Sequence, residues 1–307
     1  MTPSDDGSDG GRFKGSSFLA QSAALNRAFD AGRQDDAAPV AGWEKLAERN
    51  AAGVDLLRQD RAVEAATAFR DVVADCSETL GPEHPDTLVA TGNLAVAHAH
   101  AGQLAEAMGL LEVNLASRVA VFGDVHPRTL DARDTLGTML RLVGRAADAA
   151  VVHALVVRQR ALALGPEHPD TLVSRLGLAL DAAEAGSLDP SAAALAQLLN
   201  DADAAFGPRH DLTTIIRAAA AAVALALGQV DQAVKQLQLA YSAAESVHGP
   251  AHRDAVALRA ELADAMAARS GAEPSRPSDQ LAEVTSPREP SATRGEPDHH
   301  RRQDTDR

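Results

Sequence analysis

The sequence predicts an all-α solenoid of paired helices, and three observations lead there. A nine-residue phrase, Leu-Gly-Pro-Glu-His-Pro-Asp-Thr-Leu, fills residues 80–88 and recurs word for word at 164–172. Degraded copies carry the spacing further: glycines stand at Gly81, Gly123, Gly165, Gly207 and Gly249, and histidines at His84, His126, His168, His210 and His252, both with a step of 42 residues. A fixed period of that size marks units that cannot bury an apolar face alone and stack to share one. The third observation is composition. Hydrophobic residues make up 45% of the chain but aromatic residues only 3%, so the core is built from Ala, Leu and Val, a mixture that favours helix over strand.

The elements follow in chain order. Residues 1–38 are rich in Gly, Ser and Asp and are expected to be mostly disordered, although Phe18, Leu25 and Phe29 would share one face of a short helix over 17–31. That helix would either cap the solenoid or meet a partner, and the sequence does not choose. First helices of the repeat are predicted to start near Trp43, Pro85, Pro127, Pro169, Asp211 and Arg253. Proline suits the first helical position, where its missing N–H is no loss. A second punctuation point stands at Asp60, Gly102, Gly144, Gly186 and Gly228, where glycine suits the left-handed conformation that closes a helix. In the second unit this predicts helices over about 85–101 and 103–121. In the fourth, Asp189-Pro190 reads as an N-cap followed by a first-turn proline. Second helices can be placed five times, so the final helix, 254–269, reads as a terminal cap. The solenoid then spans 39–270, as five two-helix units of 42 residues and a capping helix. Five prolines between Pro274 and Pro297, amid mixed charge, predict a disordered tail over 271–307.

Aligning the chain on its own period exposes columns. Two accept only small residues: Gly53, Ala95, Gly137, Ala179, Ala221, Ala263, and then Ala65, Ala107, Ala149, Ser191, Ala233. Helix axes that approach to about 8–10 Å leave no room for more, so each small column predicts a close crossing. A neighbouring column, Leu46, Leu88, Leu130, Leu172, Thr214 and Val256, predicts the apolar stripe that fills the core, and Ala52, Leu94, Leu136, Leu178, Ala220 and Leu262 extend it. A column of arginines, Arg49, Arg133, Arg175, Arg217 and Arg259, interrupted by Thr91, is read as a set of guanidiniums pairing with carboxylates of adjoining helices over apolar stems, with a partner-binding ladder as the alternative.

Composition excludes some functions. A formal charge of −14 and a pI near 5.2 argue against a nucleic-acid backbone as ligand. No stretch reaches the roughly 20 apolar residues that span a bilayer, and the leader makes a poor signal peptide. The lone Cys76 cannot form an internal disulfide, which fits a reducing, cytoplasmic setting. The five periodic histidines lie in units whose axes are two helix spacings apart, roughly 16–20 Å. They cannot converge on one zinc ion, so they are expected at helix starts, bonding nearby backbone. No phosphate loop and no Gly-x-Ser-x-Gly elbow is present, so neither cofactor, metal nor catalysis is expected.

The linker phrase, Asn93-Leu94-Ala95, and Gly102 followed by Glu106-Ala107 resemble the tetratricopeptide repeats, in the 42-residue variety of kinesin light chains and many bacterial repeat proteins, over about residues 41–269. The resemblance implies a right-handed superhelix whose concave face, lined by first helices, holds an extended or helical peptide. Carried over position by position, it implies groove residues Asn50, Ala51, Val54 and Arg58 in unit one and Val89, Gly92, Asn93, Val96 and His100 in unit two. It implies Asp131, Asp134, Thr135, Thr138 and Arg141 in unit three, Val173, Leu176, Gly177, Leu180 and Glu184 in unit four, and Ile215, Ala218, Ala219, Ala222 and Leu225 in unit five. The family's paired asparagines survive only as Asn50 and Asn93, so a groove polar at its N-terminal end and apolar at its C-terminal end is expected. The function that follows is a non-catalytic scaffold binding a protein or peptide partner. The alternative is a regulatory sensor whose groove takes a small peptide or metabolite.

Overall fold

The computed structural model describes residues 43–59 and 61–270. The leader, the 17–31 segment and the tail lie outside the described residues, as does Asp60. Eleven helices and no strand occur among the described residues. They are α1 Trp43–Arg58, α2 Ala62–Thr79, α3 Pro85–His100, α4 Leu104–Phe122, α5 Pro127–Leu142, α6 Ala146–Leu164, α7 Pro169–Glu184, α8 Leu188–Phe206, α9 Asp211–Ala226, α10 Val230–His248 and α11 Arg253–Ser270. Each packs on the helix before and after it, and successive first helices α1/α3, α5/α7 and α7/α9 also touch. The result is an all-α helical repeat solenoid.

The linker phrase is the device that reverses the chain. Its glycine ends a second helix with a positive φ, +98° at Gly81 and at Gly165, which a side chain would disfavour. Three residues on, the histidine caps the next helix, with Nδ1 accepting the backbone N–H two residues ahead at 3.2–3.4 Å: Asp86, Arg128, Asp170, Leu212 and Asp254. An accepting Nδ1 places the proton of the neutral ring on Nε2. Proline then occupies the first helical position in α3, α5 and α7. The threonine hydroxyl donates back to the glycine carbonyl, 2.8 Å from Thr87 to Gly81 and from Thr171 to Gly165. Most residues of the phrase thus have an identifiable mechanical task at the turn, and histidine serves as the capping side chain.

The small columns are crossings. Ala65, Ala107, Ala149, Ser191 and Ala233 are all fully buried. The first small column receives a knob from the second helix of its own unit, and the two sizes are matched. Gly53 faces Phe69 and Gly137 faces His153, where an added Cβ would sit 2.7 Å and 2.8 Å from the ring atoms. In the units where the knob is Leu111, Leu195 or Leu237, the facing residue is Ala95, Ala179 or Ala221, each within the same apolar cluster as its leucine. Rings meet glycine and leucines meet alanine, which holds the local volume nearly constant, as close packing requires.

Four expectations are corrected. Ala52 of the apolar stripe and Ala263 of the first small column are exposed, at the two ends of the described array. Asp189-Pro190 does not start α8, which begins at Leu188 after Ser187. Asp189 instead lies in the first turn, where its charge suits the helix dipole, and Pro190 takes a position whose N–H has no intrahelical partner to lose. Val256 does not join the core stripe. It is 42% exposed because α11 has no following helix within the described residues, and Ala255 and Leu258 carry the packing of α11 instead.

A leucine in place of Ala179, buried against Leu195 and Ser191, should overpack the α7–α8 crossing and cost roughly 1–3 kcal/mol, read as a lower thermal midpoint. Leucine in place of the exposed Ala193 on α8 is the control that should leave the midpoint in place.

Candidate functional site

Successive first helices contact one another along the stack, and most of the expected groove positions on them are closed. Val54, Asn93, Val96, Asp134, Thr135, Thr138, Arg141, Val173, Leu176 and Leu180 are all buried, with Asn93, Val96 and Thr138 wholly inaccessible. These side chains pack neighbouring first helices together. The Asn93 amide donates to Asn50 Oδ1 at 3.1 Å across α1 and α3. Asn50, Val89, His100 and Ile215 are half-buried, and Leu225 is 38% exposed. The side chain of Arg58 lies outside the described residues. Among α1, α3, α5, α7 and α9, Leu225 is the one exposed large apolar side chain described within a helix.

Register explains part of this. Arg58, His100 and Glu184 share one column with Leu142 and Ala226, whereas Arg141 and Leu225 stand one residue earlier, with Leu57, Ala99 and Ala183. One residue turns a helical side chain by about 100°. Arg141 accordingly points into the interhelical core, with its side chain only 1% exposed and Nε 3.2 Å from Asp181 Oδ1.

The arginine column is a set of internal ties. Arg217 spans Asp203, at 2.8 Å to both carboxylate oxygens, and the Pro208 carbonyl at 2.9 Å. Arg175 pairs with Asp201 at 2.7 Å and reaches the Pro166 carbonyl. Arg133 bonds the backbone and carboxylate of Asp124, and Arg49 pairs with Asp75. Three of these arginines, Arg133, Arg175 and Arg217, hold the carbonyl that follows the linker glycine and staple their turns to the next first helix.

Sequence reasoning missed a second set of charges, inside the solenoid. Arg118 on α4 donates to Asn114 at 2.7 Å and to the carbonyls of Arg128 and Leu88 at 2.8 and 3.0 Å. Burial pulls its guanidinium down to about 10. Arg160 on α6 meets Asp131 at 2.5 Å, Ser174 at 2.7 Å and the Asp170 carbonyl at 3.0 Å. His153 lies between them in chain order, with Nδ1 2.5 Å from Asp181 Oδ2 and Nε2 3.2 Å from the Asp134 carbonyl. Burial pushes this imidazole down, but the Asp181 hydrogen bond and the charges of Asp134 and Asp181 outweigh it, and its pKa is raised. The signal was available, since His153 interrupts a column of Phe69, Leu111, Leu195 and Leu237.

Two stretches, residues 46–118 and 129–170, match the family described as Tetratricopeptide repeat. These are tetratricopeptide repeats. Solved structures place them with the kinesin-light-chain kind. A Podosopora anserina putative kinesin light chain with nearly identical TPR-like repeats is 24% identical, with a TM-score of 0.53 over 66% of this chain and 97% of that one. A single-substitution form of it is 25% identical, with a TM-score of 0.54 over 66% of this chain and 95% of that one. BtubC (BKLC) from P. vanneervenii, 12% identical, shares the fold at a TM-score of 0.54 over 75% of this chain and 91% of that one. No curated protein matches the chain. The repeats mark it, in the general sense, as a protein–protein interaction scaffold. No helix among the described residues is long and apolar enough to cross a membrane.

Replacing Arg217 with Met keeps the apolar stem and removes the staple to Asp203 and Pro208. Chemical denaturation should show a loss of about 1–2 kcal/mol.

Proposed function

We propose that this chain is a non-catalytic, cytoplasmic adaptor that recruits a protein or peptide through the inner side of its repeat array, with the contact concentrated where that side stays open. Leu225 carries the reading. It is 38% exposed on a first helix whose neighbouring inner positions, Ala218, Ala219 and Ala222, are buried alanines. In the other units its column, Leu57, Ala99, Arg141 and Ala183, is buried, so Leu225 is an unburied leucine at a position closed elsewhere, a place for an apolar anchor of the kind that helix-in-groove recognition uses. Ile215, half-buried nearly three turns earlier, extends the apolar surface of the same helix. At the other end Asn50 and the exposed Ala51 offer a carboxamide beside a small residue. A ligand with an apolar anchor and a polar remainder fits this distribution. In the middle units the ligand would rest on rim residues such as Val89 and His100.

Affinity capture on the full chain tests this reading. Leu225→Asp should deplete the stoichiometric partner while circular dichroism stays helical, and Leu162→Asp, at an 83% exposed site on the outer helix α6, should retain it. The reverse pattern would move the binding surface to the outer face.

A further inference from the structure

One joint of the solenoid is ionic where its counterparts are apolar. At the other joints His153 is replaced by Phe69, Leu111, Leu195 and Leu237, Asp181 by Ala97, Met139, Val223 and Ala265, and Arg141 by Leu57, Ala99, Ala183 and Leu225; the one other acid in the Asp181 column, Asp55, stands on α1 ahead of the first joint. All three are buried, with Asp181 at 0% exposure. They meet where α5, α6 and α7 come together, between the third and fourth repeats.

The imidazole is fixed at both nitrogens. A carbonyl oxygen only accepts, so Nε2, 3.2 Å from the Asp134 carbonyl, carries a proton. Nδ1 faces a carboxylate oxygen at 2.5 Å and carries the other. Glycines close in from both neighbouring first helices, because a Cβ added at Gly137 on α5 or Gly177 on α7 would sit 2.8 Å from ring atoms. The ring is held between the two glycines with little room to turn towards another partner.

We propose that this joint is a pH-responsive hinge, closed while His153 holds both protons and released when it gives one up. Loss of the Nε2 proton would set a nitrogen lone pair against the Asp134 carbonyl oxygen. Loss of the Nδ1 proton would take the donor from Asp181. The charged groups facing the ring are Asp134 and Arg141 from α5 and Asp181 from α7, while Glu184 acts on Arg141. On its own helix, Arg160 is held by Asp131 and lies 3.6 Å from Asp134. The direction follows from linkage. The folded pKa is raised above the ordinary value, so the stabilising contribution is complete below the unfolded value, near 6.5, and is lost as pH rises through the folded one. Opening therefore belongs to the alkaline side. Because each repeat touches only its neighbours, release here would change the setting of units one to three against units four and five without unfolding either block.

The test is a titration of the full chain from about pH 5 to about pH 10, following the His153 ring nitrogens by NMR and amide protection by hydrogen exchange. The ring should lose its second proton at a higher pH than an ordinary imidazole does. Over the same range, protection factors across 134–142 and 174–184 should fall about tenfold or more, while those of α1, α2, α9 and α10 hold. A ring that stays doubly protonated throughout, or that titrates with no local loss of protection, overturns the hinge. The triple variant Arg141→Ala, His153→Leu, Asp181→Met copies the residues of the neighbouring columns, Ala99, Leu111 and Met139. It should abolish the local pH response, and a response that persists in it also overturns the proposal. If the triple variant fails to fold, the wild-type titration decides alone.

Discussion

The close crossing of the two helices within each repeat is the constraint on which the rest of the molecule depends. A knob from the second helix enters a gap on the first, and the gap is as wide as the missing side chain at Gly53, Ala95, Gly137, Ala179 or Ala221. A core with so few aromatic residues has little material to fill a loose joint, so the axes must come close. Once they do, neighbouring first helices are drawn together as well, which buries Asn93, Val96, Thr138 and Leu180 on the inner side. Tight packing within units thus leaves a narrow inner surface between them.

That chain of causes also sets what the sequence could reveal. Helix starts were legible because the linker's glycine, histidine and proline act through local backbone geometry, which needs no knowledge of the neighbours. Crossings were legible because smallness at a fixed period has one plain cause. Burial along the inner face was not, since it depends on how sharply the units pack, and a family position says which way a side chain faces without saying how much room it finds. Arg141 was misplaced by a single residue of register. Asp189 was misread because an N-cap and a first-turn acid satisfy the same orphan N–H groups and dipole from adjacent positions. The internal charges at His153, Arg160 and Asp181 were visible as breaks in apolar columns, but a break alone does not tell a solvated charge from a buried one.

Charge does two different kinds of work here. At the linkers, Arg133, Arg175 and Arg217 tie a linker carbonyl and a carboxylate to the next helix, the first two at partly exposed sites where the desolvation cost is small and Arg217 at a buried one. Inside, Arg118, Arg160, Arg141 and His153 have given up water, and only hydrogen bonds and opposite charges offset that cost. A buried ionic joint is seldom more stable than the apolar one it stands in for, yet it accepts far fewer arrangements. Leu195 could shift by a fraction of an ångström against Ala179 and lose little. His153, held between the Asp134 carbonyl, the Asp181 carboxylate and two glycines, could not.

The position of that joint gives it meaning for recognition. The inner surface changes character on either side of it, with Asn50 and Asn93 before it and the alanines, Ile215 and Leu225 after it. For the proposed amphipathic partner to touch both halves it would have to match their relative setting as well as their chemistry, and the packing of α5, α6 and α7 contributes to that setting. In a chain of nearest-neighbour contacts an error in angle at a central joint is carried to both ends, whereas the same error at α1 or α11 moves only the last helix. The ionic joint at His153 therefore stands where a change of angle would displace the proposed binding surface most.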